Sequence, residues 1–355
     1  MVAAPVAHDP VAHDPVAHAP AGRHTRHPAG ALAQWLDDGR LHLHHGPIDL
    51  VIGVDGAPDA VKQACSAAKD RFDTVLEELV SELAILRRPV DQLGRPPTGG
   101  VAARMWAATI PHADSYRDEN YITAMAAVAG AVADEILSVM RAAADVDRIY
   151  VNNGGDIALY LNPAGAAVPP YSIGICADPD VVFQTHVDAV ASIDDGGMRL
   201  AANAFAGKIK ISAADQVSGI ATSGWKGRSQ SLGIADLVTV LAPTAAAADV
   251  AATLIANAVW PDDNSKSHWP GVHRQPANEA APDSDLGTRL VTVDVDRLPD
   301  QIIKNALRRG AAVAEDMRQS GKISAAYGVV QGQGFICGGA TTKPPVQAVL
   351  PDENP

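Results

Sequence analysis

Between Pro58 and Leu86 apolar side chains recur three or four positions apart, at Val61, Cys65, Ala68, Phe72, Val75, Leu76, Leu79, Leu83 and Leu86. That spacing predicts a long amphipathic helix, with Cys65 facing the core. A second helical stretch, Ile122 to Ala144, is rich in small residues, Ala126, Ala127, Ala129, Gly130 and Ala133, which let another backbone approach closely. Alanines from Thr244 to Val259 predict a third helix, and Gln301 to Gln319 a fourth. Strands are read from β-branched or alternating runs: Leu41 to Val54 folded at Gly46-Pro47, Ile149 to Val151, Ile157 to Tyr160, Tyr171 to Cys176, Lys208 to Ile211, Leu237 to Leu241 and Leu290 to Val295. Arg87-Arg88-Pro89 and the Gly94 to Gly100 segment read as loop, and Pro261 to Asp285 as a long polar loop. The pattern predicts an α+β fold, mixed β-sheets flanked by helices with a ligand cleft between them.

Two glycine-containing corners interrupt this pattern. Asn152-Asn153-Gly154-Gly155-Asp156 ends one strand, where paired glycines permit positive φ and the asparagines expose carboxamides; it reads either as a plain hairpin turn or as a ligand loop. Ala221-Thr222-Ser223-Gly224 is a small, hydroxyl-rich turn ahead of the Leu237 strand. Asp249 and Thr253, four apart on the third helix, put a carboxylate and a hydroxyl on one face, oxygen donors suited to a hard cation such as Mg²⁺. Ser223 and Lys226 have the S-x-x-K spacing in which a lysine deprotonates a serine. Cys337 reads as a buried thiol or a thiolate served by His268 or His273, and Arg274 or Arg289 as a clamp for a substrate carboxylate. His42 and His44 share one face of their strand, as solvated edge residues or metal ligands.

The order of VNNGGDI (Val151 to Ile157), ATSG (Ala221 to Gly224) and ADVAAT (Ala248 to Thr253) resembles the ApbE-like superfamily, whose best-known members are FAD:protein FMN transferases. MAAVAGAVADE (Met125 to Glu135) and PDSDLG (Pro282 to Gly287) are similar to an uncharacterised cytoplasmic branch of it, and the resemblance runs from about Arg40 to Gly334. It implies that Asp249 and Thr253 hold Mg²⁺ and that the Gly154-Gly155-Asp156 turn lies against a flavin nucleotide. The transferases also carry an HxxDP segment after the TSG turn, its histidine a base for the acceptor threonine. The matching interval, Trp225 to Asp236, has neither histidine nor proline. This departure shifts the expected activity to hydrolysis of a cyclic amide or imide in a small hydroxylated N-heteroaromatic acid, as in N-heterocycle degradation. Ser223, Lys226, Thr222 and Asp249 would be catalytic there, with Asn152, Asn153, Gly154, Gly155, Asp156, Gly224, Arg274 and His273 binding substrate. The alternatives are Mg²⁺-dependent FMN transfer from FAD and a non-catalytic flavin or metabolite binder.

Composition narrows the partners. A net charge of −13 disfavours nucleic acid and anionic membranes as partners, while a locally basic site still admits a small anionic substrate. Three cysteines, Cys65, Cys176 and Cys337, at no metal or redox spacing fit a cytoplasmic protein without disulfides. Residues 1–30, with His8, His13 and His18 five apart among prolines, read as a disordered arm, and 341–355 as a proline-rich tail around a domain at 31–340. Alanine-rich helices make a homodimer an expectation.

Overall fold

A computed structural model describes residues 25–26, 30–92, 95–116, 122–163, 168–176, 205–261 and 268–338. The histidine-rich arm to residue 24, Arg117, Asp118 and Glu119, and the tail from residue 339 lie outside them.

Ten strands form one antiparallel sheet in the order β1 (Thr25–Arg26), β2 (Leu32–Trp35), β3 (Leu41–His45), β4 (Ile48–Asp55), β5 (Arg148–Asn153), β6 (Asp156–Leu161), β9 (Gly219–Ser223), β10 (Leu237–Ala242), β13 (Ala325–Val330) and β14 (Gln333–Cys337). The remaining strands make two separate hairpins, β7 (Tyr171–Cys176) with β8 (Phe205–Ile211) and β11 (Val272–Pro276) with β12 (Leu290–Val295).

Alternation along the strands sends one set of side chains toward the helices and the other toward the opposite face. Leu41, Leu43, Leu50, Ile52, Ile149, Val151, Ala158, Ala221, Val238 and Val240 join the main core. Above them pack α1 (Pro58–Leu86), α2 (Gly100–Thr109), α3 (Val128–Ala143), α4 (Ala245–Ala258) and α6 (Asp300–Gln319), while α5 (Ala277–Ala280) is a single turn beside β11. The other parity, Leu159, Leu161 and Ile220, forms a smaller core with Tyr150 and with Ile173, Ile209 and Ile211 of the β7–β8 hairpin. The fold is therefore α+β, with helices on one face of a sheet and a hairpin on the other.

Several elements differ from the pattern read above. The helix expected from Ile122 begins as a 3₁₀ turn at Ala124–Ala127, capped by Thr123 through its Oγ1, and becomes α-helical only at Val128. Residues 100–109 are helical although no periodicity singled them out. The stretch read as a polar loop contains β11, and the small-residue segment after Ile323 forms β13 and β14.

Candidate functional site

The two glycine-containing segments meet because β6 lies directly beside β9, with Ile157 opposite Ile220 and Ala158 opposite Gly219. The second is not the turn its composition predicts: Ala221, Thr222 and Ser223 end strand β9, paired with Val240, Thr239 and Val238 of β10, and only Gly224 lies beyond the strand. The first corner is the β5–β6 hairpin turn. Asn152 accepts the Gly155 amide on its Oδ1 at 2.8 Å, and Gly154 and Gly155 take φ of 66° and 115°. Glycine suits both, since few L side chains tolerate that region. From β9 the Thr222 amide donates to Asp156 Oδ1 at 3.3 Å. Asn153, buried on the helix side, donates from Nδ2 to the Ala129 carbonyl at 3.1 Å and so fixes the turn against the start of α3.

The third wall is a crossing of two helices that cap one another. Asp134 of α3 accepts the Ala245 and Ala246 amides at 3.0 and 2.9 Å, and Asp249 of α4 accepts the Gly130 amide at 3.0 Å. First-turn amides have no partner within their own helix, so each carboxylate satisfies donors the other helix leaves open. The crossing is close: a Cβ on Gly130 would stand 2.3 Å from the Ala245 carbonyl oxygen.

Asp249 also lies near enough to Asp156 for the two charges to interact. Burial pushes Asp156 up to about 7, against the pull of the Thr222 amide and the Arg228 charge. Burial, and then the Asp156 charge beside it, holds Asp249 well above the carboxylate range, while the Gly130 and Ala129 amides oppose the shift. Both residues are half-buried, so neither carboxylate is wholly sealed from solvent. No lysine or arginine among the described residues hydrogen-bonds either one.

Other predicted site residues are placed as follows. Ser223 is buried with its Oγ 3.3 Å from Ser229 Oγ, whereas Lys226 Nζ lies 3.6 Å from Asp236 Oδ1 and 5.6 Å from the Trp225 ring centre. The serine and lysine are not brought together. Thr222 points to the opposite side of its strand and meets Thr239, Oγ1 to Oγ1, at 2.9 Å. Gly224 is required by packing, because a Cβ there would lie 2.4 Å from the Asp236 carbonyl oxygen. Arg274 bonds the Leu232 and Leu290 carbonyls and stacks 4.8 Å from the Trp260 ring centre, which ties the β11–β12 hairpin to the body instead of presenting a clamp. His273 is exposed and pairs with Asp296 at 3.2 Å, and Cys337 donates to Glu315 at 3.2 Å. Thr253 is half-buried one helical turn beyond Asp249.

A protein family described as "AbpE bacteria" matches residues 33–336. The chain belongs to this family. It therefore sits within the ApbE-like superfamily that its motifs resemble. A UPF0280 protein of Methanothrix thermoacetophila is 32% identical over 154 residues, 43% of this chain and 53% of that relative, so the chain spans about half the length of the curated relative it matches. Among solved structures, the flavinyl transferase ApbE of Pseudomonas stutzeri in apo form aligns at 14% identity over 86% of this chain and 93% of that one, with a TM-score of 0.34. The flavin transferase ApbE of Vibrio cholerae gives 14%, 86%, 97% and 0.32 in the same order.

Membership in the AbpE family overturns the cyclic-amide hydrolase expected from the sequence, and the N-heterocycle degradation that went with it. The geometry agrees, because Ser223 and Lys226 have separate partners and Arg274 is spent on backbone carbonyls. In this AbpE-family chain the residues that sequence reasoning missed are Asp134, whose only signal was its place in the Met125 to Glu135 motif, and Arg228, Ser229 and Asp236 of the Trp225–Asp236 interval. Asp236, buried at 6% exposure, accepts the Trp225 indole N–H at 3.2 Å and the Gln331 amide at 2.6 Å. It clamps that interval shut, and the interval lays Arg228 against Gly154: a Cβ on Gly154 would be 3.0 Å from an Arg228 guanidinium nitrogen.

Proposed function

We propose that the chain is a Mg²⁺-dependent transferase that moves the FMN part of FAD, a small anionic substrate, to a hydroxyl of a protein acceptor. Family membership supports this reading, and one observation carries it: Asp156 and Asp249, both half-buried and near enough for the charge of one to raise the other, have no hydrogen-bonded cation among the described residues. Two carboxylates crowded out of water are costly as anions and become favourable when a hard cation sits between them and the substrate's phosphates. The donor set fits Mg²⁺, with the Asp249 carboxylate and the Thr253 hydroxyl as the protein's ligands. Bound there, the cation would draw negative charge from the pyrophosphate.

The chain's own groups do the rest. The open backbone at Gly155, which has nothing within 4 Å of where a side chain would start, gives a flavin nucleotide room against the turn. The Thr222 amide holds the Asp156 carboxylate, and Asn153 fixes the turn it stands on against the Ala129 carbonyl. Asp156, raised by burial to about 7, would supply in its ionised form the proton acceptor that a histidine-free Trp225–Asp236 interval does not.

The test is incubation with FAD and MgCl₂, followed by chromatography for AMP and a denaturing gel of added cell extract viewed for flavin fluorescence. AMP release and a fluorescent polypeptide band are expected, both abolished by EDTA and by Asp249→Asn. Wild-type protein that leaves FAD intact and labels nothing ends the proposal.

A further inference from the structure

We infer that Arg228 is the phosphate-recognition residue of this cleft, the one that separates a nucleotide from its unphosphorylated counterpart. The inference rests on the flavin-nucleotide reading and names the contact that would confer it. Three observations converge. Arg228 is exposed, and among the described residues no carboxylate lies within ion-pairing distance of its guanidinium. Its neighbour Lys226, by contrast, is committed to Asp236. The Arg228 guanidinium rests on Gly154, at the corner whose next residue, Gly155, faces open space, and its charge reaches Asp156.

Its placement is built, not accidental. The Trp225 amide bonds the Ala235 carbonyl at 3.0 Å and the Gly227 amide bonds the Gly224 carbonyl at 3.1 Å, so the base of the loop is closed by backbone. Asp236 then holds both the Trp225 and Lys226 side chains, leaving Arg228 as the cation of this loop without an ion pair among the described residues. A Cβ at Gly154 would press on the guanidinium at 3.0 Å.

The chemistry selects the ligand. In a chain of net charge −13, a cleft floored by two carboxylates repels any anion unless positive charge faces it. A guanidinium at the rim offers a planar pair of N–H donors that match two phosphate oxygens. A phosphate so held lies over the carboxylate floor, where Mg²⁺ takes one or two carboxylates together with substrate phosphates.

Isothermal titration calorimetry in MgCl₂ with FAD, riboflavin and inorganic pyrophosphate tests this on wild-type protein and on Arg228→Ala and Arg228→Lys. Wild type should bind FAD at least tenfold more tightly than riboflavin. Arg228→Ala should erase that difference and lose pyrophosphate binding, leave riboflavin affinity unchanged, and unfold at the wild-type temperature. Arg228→Lys should restore part of the gap. FAD bound equally by wild type and Arg228→Ala overturns the inference, even where AMP release continues and the transferase reading stands. Pyrophosphate bound through Arg228 by a protein that ignores both flavins supports the phosphate site and removes the flavin reading.

Discussion

At the residue scale, burial of a titratable group sets a testable pH dependence. His112, 4% exposed, is pushed down to about 4 by burial and then by the Lys322 charge, whose ammonium is held next to it on the Pro111 carbonyl at 3.0 Å. An unfolded-chain histidine titrates near 6.5. Between the two values the unfolded chain binds the extra proton, so the neutral histidine's contribution is present above about pH 6.5 and is lost as pH falls toward 4. The loss amounts to roughly 3 kcal/mol from this group alone. Urea titrations from pH 7.5 to 4 should show a shallower acid limb for His112→Gln than for wild type, and parallel limbs would refute the assignment. Single residues also show what sequence can and cannot disclose. The Asn152–Asp156 corner was legible because positive φ and Asx bonding are local demands written in local residues. Arg228 was not, because its meaning comes from the pairing of β6 with β9, which brings Asp156 alongside Thr222, 66 residues on in the chain.

At the element scale, the α3–α4 crossing combines a close approach with reciprocal caps. Asp134→Ala removes the acceptor for two first-turn amides of α4 and should cost about 1–2 kcal/mol in chemical denaturation. Gly130→Ala drives a methyl into the Ala245 carbonyl and should cost roughly 1–3 kcal/mol. The two sites share one interface, so the double variant should not equal the sum of the singles; strict additivity would mean the caps and the crossing are independent. Helix boundaries were readable where periodicity and a first-turn proline coincide, as in α1, which runs from Pro58 to Leu86 as its spacing predicts. The β13–β14 hairpin was not readable. Its strand carries Gly328 in place of a packing side chain, and the Phe335 ring of the paired strand fills the space, 2.3 Å from where a Cβ would be. No local pattern announces an aromatic that covers a glycine across a ladder.

At the scale of the whole molecule, the two local hairpins, β3–β4 and β5–β6, were readable but the rest of the strand order was not, since β6 reaches β9 past the β7–β8 hairpin and β10 reaches β13 past a second hairpin and α6. That order is what sets Asp156 against Asp249, and their opposition predicts how the protein responds to divalent cations. Without a cation the folded state holds a proton on Asp156 up to about pH 7, and burial raises Asp249 well above the ordinary carboxylate range, so Asp156's effect on stability becomes progressively unfavourable as pH rises from about 4 to 7 and Asp249 acts in the same direction. Mg²⁺ that binds the folded state alone stabilises it by RT ln(1 + [Mg²⁺]/Kd), about 2.7 kcal/mol at a hundredfold excess over Kd. Protons and the cation compete for the same oxygens, so the Mg²⁺-induced rise in unfolding temperature should be largest near pH 8 and should shrink as pH drops through 7 toward 5. Asp249→Asn keeps an oxygen for the Gly130 amide while removing one of the two charges. It should unfold at or above the wild-type temperature at pH 8 without Mg²⁺ and gain nothing when Mg²⁺ is added. A variant that is less stable than wild type at pH 8 and still responds to Mg²⁺ would show that this carboxylate serves only as a helix cap.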